Sequence, residues 1–205
     1  KSRPVNLTIR SGEVVVLTGR TGCGKTTLLN LLSGYDRLDG GEVRLCLYGK
    51  TIVFGAKARN VWASPGRLAR LGLGRSWQSP PAFPFMTISD VWPIATRFSS
   101  SSDTFNKANL LRFLQSCGVS LNKPSATLPF GHRKLFCVCL ALLTGSQLVF
   151  LDEPLAGLSD DLGNRIAALI KSANEQGRTV LIAEHRETTG LFGPSVRIMP
   201  WPDNP

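Results

Sequence analysis

A chain of 205 residues with a mean hydropathy of +0.03 is long enough to bury one sizeable core, and its length suits one domain with room for a subdomain. Its formal charge of +10 favours a polyanionic neighbour, whether a nucleotide, a nucleic acid or anionic headgroups, without choosing among them. The most apolar run, Leu135 to Leu143, is interrupted by Thr144, Gly145 and Gln147 well short of the ~20 residues a membrane-spanning helix needs. The chain opens at Lys1 without a charged, apolar and small-residue leader, so no targeting peptide is expected and a trimmed terminus is.

Val5, Leu7 and Ile9 alternate with polar residues, as do Val43, Leu45 and Leu47, which predicts half-buried strands of an antiparallel layer near the N-terminus. Val14 to Leu17 is instead a continuous apolar run ending in glycines, the pattern of a strand buried on both faces of a parallel sheet. It leads into "GRTGCGKTT", where Gly19, Gly24, Lys25 and Thr26 fit G-x-x-x-x-G-K-[ST] and the following residues are periodic enough for a helix. Glycines let backbone N–H groups curl around phosphate oxygens, the helix N-terminus adds positive charge, Lys25 reaches the outer phosphates and the Thr26 hydroxyl suits magnesium. The remaining loop positions, Arg20, Thr21, Gly22, Cys23 and Thr27, belong to the same cradle. A glycine-rich turn with a chance lysine is the bland alternative, and the strand and helix flanks argue against it.

From Ser79 to Thr127 the texture changes to prolines, the serine run Ser99–Ser102, and an apolar-periodic stretch through Leu110, Leu111, Phe113 and Leu114. An inserted, mainly helical subdomain over 79–127 is predicted, with the serines at a loop tip. Further on, "LVFLDEP" delivers Asp152 and Glu153 at the C-terminal end of an apolar strand, the edge where ligands bind in open α/β sheets. Adjacent residues face different ways, so Asp152 can serve a magnesium shell while Glu153 addresses an attacking water. Leu162, Ile166, Leu169, Ile170 and Ala173 recur at helical spacing before a second buried run, Val180 to Ala183, which completes a strand, helix, strand crossover. The five cysteines show no zinc-ligand spacing. Cys137 and Cys139 read as small buried hydrophobes.

The order and spacing of the phosphate loop, "DEP", Gln78 in "GRSWQSPPAF" and His185 in "LIAEHR" resemble the ATP-binding-cassette (ABC) family of transporter ATPases. The resemblance implies an α/β P-loop core with a mainly parallel sheet, an N-terminal antiparallel β layer and the helical insert. Residues 1–78 and 128–205 would form the core. It also implies ATP and Mg2+ as ligands, with Gln78 touching magnesium and the attacking water, and His185 near the γ-phosphate. Without it, Gln78 would read as a surface loop residue and His185 as a strand-end histidine. Arg67 to Val91 looks most like the ATPases of branched-chain amino-acid-type importers, and somewhat like the related lipopolysaccharide-export ATPases.

Leu128 to His132 falls where that family writes its LSGGQ signature, which acts on a partner subunit's ATP. Leu128 and Gly131 match, whereas Pro129, Phe130 and His132 replace a serine, a glycine and a glutamine. Proline brings neither N–H nor hydroxyl, and a lost hydrogen bond to a charged group costs about 1.5–3 kcal/mol. Ser159 also stands where the family usually has an aspartate. These departures favour a heterodimer in which this chain keeps intact motifs for its own ATP and lends a degenerate one to a second nucleotide-binding domain. The expected setting is the cytoplasmic face of a membrane, on transmembrane permease subunits. A hydrolysis-poor regulatory module is one alternative. A nucleic-acid-associated cassette is the other, though no basic stripe with interleaved aromatics supports direct nucleic-acid contact. The family's adenine-stacking aromatic is missing from "KSRPVN".

Overall fold

The computed structural model describes residues 5–56, 63–97, 107–145, 147–185, 190–193 and 196–201. The serine run expected at a loop tip lies outside them. Five strands form a wholly parallel sheet: β1 (Val14–Thr18), β4 (Leu73–Arg75), β5 (Leu148–Asp152), β6 (Thr179–Glu184) and β7 (Arg197–Pro200), in the order β4-β5-β6-β1-β7. The continuous apolar runs follow from burial on both faces. Val14 and Val16 point into one core with Val149, Leu151, Val180 and Ile182, whereas Val15 and Leu17 point into another with Phe150, Leu181 and Ala183.

The first core is closed by α3 (Ile88–Thr96), α4 (Lys107–Ser116), α5 (Phe130–Thr144) and α6 (Asp160–Glu175). Helix α3 begins with a reciprocal capping box between Thr87 and Asp90, which satisfies two backbone donors at its entry. On α4 the four-residue spacing of Leu110 and Leu114 makes a stripe, and both side chains are fully buried. Helix α5 is buried along most of its length and carries Cys137 and Cys139 inward. Burial pushes the Cys137 thiol up to about 12 and the Cys139 thiol well above its ordinary range.

The second core lies under α1 (Lys25–Leu32), the hairpin of β2 (Val43–Leu47) and β3 (Lys50–Phe54), and α2 (Pro65–Arg70). The hairpin's two-residue loop, Tyr48-Gly49, has positive φ at both positions, the twist that suits tight antiparallel connections. The alternation at Val43, Leu45 and Leu47 is therefore a half-buried antiparallel strand, as expected. The one at Val5, Leu7 and Ile9 is not a strand. Leu7 and Ile9 do pack on the second core, but the segment joins no ladder, and the Arg197 guanidinium takes the Thr8 carbonyl at 2.6 Å instead. Half-burial without a pairing edge produces the same period-two pattern.

Candidate functional site

Parallel pairing puts the C-terminal ends of all five strands on one edge of the sheet, so the segments that follow them converge although they are remote in sequence. The phosphate loop follows β1, Gln78 follows β4, Asp152 and Glu153 close β5, and His185 follows β6. Thr26, Trp77, Gln78, Ser79, Pro81 and Asp152 line one open recess there.

The loop from Gly19 to Gly24 is shaped for a close approach of backbone to ligand. Gly24, the residue before α1, adopts a left-handed φ of 98°, a conformation glycine takes without strain. A Cβ on Gly19 would come 2.8 Å from the Cys23 sulfur and 3.2 Å from the Trp201 carbonyl. Helix α1 has no side-chain cap and no acidic residue in its first turn, which leaves its N-terminal N–H groups and dipole for an anion. The Lys25 ammonium donates to the carbonyls of Gly19 at 2.6 Å and Arg20 at 3.1 Å, and lies 3.7 Å from Cys23 Sγ. Trp201 buttresses the loop from outside, its indole donating to the Cys23 carbonyl at 3.1 Å. Arg20, Thr21, Gly22 and Thr27 are exposed and Cys23 is buried.

Asp152 and Glu153 diverge. Asp152 faces α1, where Thr26 Oγ1 donates to its Oδ1 at 3.1 Å. Its Oδ2 is buried with no hydrogen-bond partner among the described residues and lies 3.8 Å from Arg75 Nη2. Burial holds the Asp152 carboxyl above its ordinary range, offset by the Thr26 hydroxyl and the Arg75 charge. Glu153 turns the other way, accepting from Gln78 Nε2 at 3.0 Å on one oxygen and lying 3.3 Å from His185 Nε2 on the other. Its φ is +46°, a left-handed backbone that costs a non-glycine residue about 1–3 kcal/mol. Its N–H donates to the Ala183 carbonyl at 2.8 Å, which pins the turn to β6.

Thr26 Oγ1 and Asp152 Oδ1, 3.1 Å apart on residues that line the recess, are a donor pair that fits a magnesium ion. No group of three or more His, Cys, Asp or Glu among the described residues forms a cage of its own. That donor set suits an ion that completes its shell with water and phosphate oxygens.

Beneath Glu153 lies a group that sequence reasoning missed. Glu184, fully buried at the end of β6, accepts backbone N–H groups from Leu155 at 2.9 Å and His185 at 3.1 Å, and burial raises its carboxyl. Lys134 of α5 is 2% exposed. Its ammonium donates to the Ala156 carbonyl at 2.7 Å and lies 5.3 Å from the Phe130 ring centroid. Burial lowers its basicity, and the charges of Glu184, Glu153 and Asp152 oppose that effect. The sequence offered one cue, a lysine at the head of the apolar run Leu135 to Leu143, and only the fold gives it partners.

The stretch from Leu128 to His132 leads into α5. Leu128 is buried, Pro129 and Phe130 are exposed, and Gly131 and His132 are half-buried. Pro129 stands just before the first turn, which has no side-chain cap and no acid. A Cβ on Gly157 would meet the Phe130 ring at 3.3 Å, so the ring roofs the loop after Glu153. Ser159 precedes α6 without capping it.

The ABC transporter family model matches residues 2–156. A sulfate/thiosulfate import ATP-binding protein, CysA 2, of Chromobacterium violaceum is 32% identical over 91% of this chain and 48% of its own. The ribose import ATP-binding protein RbsA of Bacillus licheniformis is 28% identical over 89% of this chain and 36% of its own. The chain thus spans about a third to a half of these relatives. Among solved structures, the bacterial ABC transporter cassette MJ0796, determined as a dimer, superposes with a TM-score of 0.70 at 24% identity, covering 92% of this chain and 82% of that one, a likeness of fold. Matched over most of its length and carrying the P-loop cassette architecture, this chain belongs to the ABC transporter family, as an ATP-binding cassette.

Proposed function

We propose that this chain binds ATP with magnesium at the sheet edge and hydrolyses it when a second cassette closes over the nucleotide, driving a membrane transporter. The observation that carries the reading is the double engagement of Glu153 by Gln78 at 3.0 Å and His185 at 3.3 Å, one residue beyond a buried Asp152 tied to the phosphate-loop helix through Thr26. In this arrangement the loop amides and Lys25 grip the phosphates. Magnesium, when bound near Thr26, Asp152 and Gln78, neutralises phosphate charge. Gln78 and His185 hold the Glu153 carboxylate, which takes the proton of the attacking water.

The neighbouring surface suits a permease. Phe85 is 93% exposed and Ile94 49%, both within the 79–127 segment, and we offer them as candidate apolar contacts for such a partner. No helix among the described residues is long and apolar enough to cross a membrane, so the spanning elements belong to other chains or segments. We place the cassette peripherally on the cytoplasmic face. The relatives are named for sulfate and for ribose import, and this chain's own cargo is selected by the permease.

Pro129 and Phe130 support a heterodimer. The start of α5 keeps an uncapped helix end but lacks the hydroxyl and one amide that would hold a partner's phosphate. The same residues motivate the second reading, a hydrolysis-poor regulatory half. One experiment separates the two. ATP turnover is measured with candidate partner cassettes for the wild-type chain and for Glu153→Gln. Loss of a general base lowers turnover by about 10²–10⁴-fold, while ATP stays bound and the dimer stays closed. Equal turnover in both supports the regulatory reading. Brisk turnover by the chain alone, retained in Pro129→Ala, counts against the heterodimer.

A further inference from the structure

Arg75 closes β4 with its side chain only 5% exposed, in a position where the sheet itself asks for no charge. A buried guanidinium needs several partners to offset its lost hydration. Here the partners come from three places: the phosphate-loop helix, Asp152 at the end of β5, and the aromatic pair of Trp77 and Tyr35. Nη2 donates to Asn30 Oδ1 at 2.5 Å and Nη1 to Ser33 Oγ, both at the C-terminal end of the helix that begins with Lys25 and Thr26. The same Nη2 is the nearest charge to Asp152 Oδ2, at 3.8 Å. The guanidinium carbon stacks 4.1 Å from the ring centroid of Trp77, and Tyr35 meets that ring edge-on at 4.6 Å, with its own centroid 5.5 Å from the cation. Trp77 is the residue before Gln78.

We propose that Arg75 is a positioning residue for magnesium-dependent nucleotide binding. It sets the second oxygen of Asp152 and the stem of the Gln78 loop against the phosphate-loop helix. The inference rests on the nucleotide reading above. Asp152 has one oxygen committed to Thr26 and the other held by no hydrogen bond, so the orientation of the free oxygen is an electrostatic matter, and Arg75 is the cation that faces it. The aromatic stack keeps the guanidinium plane fixed. Lysine has neither the plane nor the fork to reach Asn30, Ser33 and Trp77 together.

The test compares ATP affinity of the full chain with magnesium and with EDTA, read by calorimetry rather than by turnover, for wild type, Arg75→Gln, Arg75→Lys and Trp77→Leu. Groups that orient a metal's ligands are typically worth about 10–100-fold in affinity. The expected result is that Arg75→Gln keeps the EDTA affinity within about twofold and loses about tenfold or more of the magnesium enhancement. Arg75→Lys restores part of it, and Trp77→Leu loses a smaller share of the enhancement than Arg75→Gln does. A merely structural arginine would lower the melting temperature and leave the ratio of the two affinities untouched, and that result in a cooperatively folded Arg75→Gln overturns the proposal. If Arg75→Gln does not fold cooperatively, Trp77→Leu decides: an unchanged ratio overturns the proposal, a reduced one supports it. A wild-type chain whose ATP binding shows no magnesium enhancement refutes the nucleotide reading and this inference together. Enhancement in the wild type with equal ratios in the variants refutes the role of Arg75 alone.

Discussion

Lys134→Met tests whether the start of α5 and the carboxylate floor of the site form one electrostatic unit. Methionine fills much of the same volume, so the change removes a charge and a donor with little loss of packing. Two consequences follow. The Ala156 carbonyl, bonded at 2.7 Å, loses its partner, and a polar group left unsatisfied in the interior costs about 1–3 kcal/mol. Glu184, fully buried, also loses the Lys134 charge that favours its carboxylate against burial. The lost carbonyl partner sets the scale, and for a chain of this size each kcal/mol lowers the melting temperature by about 2–4 °C, so a fall of roughly 2–12 °C is expected. The informative comparison is the cycle with Glu184→Gln, followed by urea unfolding. With the charge gone from both sides the double variant should be less destabilised than the sum of the singles, by at least ~1 kcal/mol. Additive effects, or a Lys134→Met cost below about 1 kcal/mol, would refute the coupling.

Gly74→Ala should compromise the fold, because its Cβ would stand 2.0 Å from the Ala141 carbonyl and 2.6 Å from the Gly145 nitrogen. These are backbone atoms of α5 and its end, so the cost should exceed the ~1–3 kcal/mol usual for overpacking and appear as loss of a cooperative melt. Trp201→Ala removes the indole donor to the Cys23 carbonyl and should weaken ATP binding several-fold while costing ~1–2 kcal/mol of stability for a half-buried aromatic, measured by nucleotide titration and melting. Maleimide labelling read by mass spectrometry should modify the exposed Cys46 quickly and spare Cys137 and Cys139. A thiol held at about 12 is ionised in only about one molecule in ten thousand at pH 8, so protection should persist until denaturant is added.

Much of the core was legible because burial on two faces writes itself as an unbroken apolar run. Val14 to Leu17, Val149 to Leu151 and Val180 to Ala183 lie in adjacent strands of one sheet. The edge strands β4 and β7 were not legible, since Leu73–Arg75 is only three residues long and Arg197–Pro200 alternates between half-buried and exposed. The segment from Val5 to Ile9 misled in the opposite sense, as alternation reports which side is wet and says nothing of a pairing partner. At the candidate site, glycine spacing and tandem acids picked out groups that the fold does bring to one edge of the sheet. Arg75, Lys134 and Glu184 stayed hidden because their role comes from partners on other elements. Lys134 lay within an apolar helix and Glu184 at an apolar strand's end, cues that needed the fold to acquire meaning.

The left-handed turn at Glu153 has an evolutionary corollary. Glycine would relax that dihedral and asparagine would tolerate it better, and either would delete the acid flanked by Gln78 and His185. A library of this chain sorted only for heat resistance should therefore drift toward Glu153→Gly or Glu153→Asn, gathering sturdier molecules that, on the proposed role of Glu153, would hydrolyse ATP poorly. At one peptide unit, selection for durability and selection for work point in opposite directions.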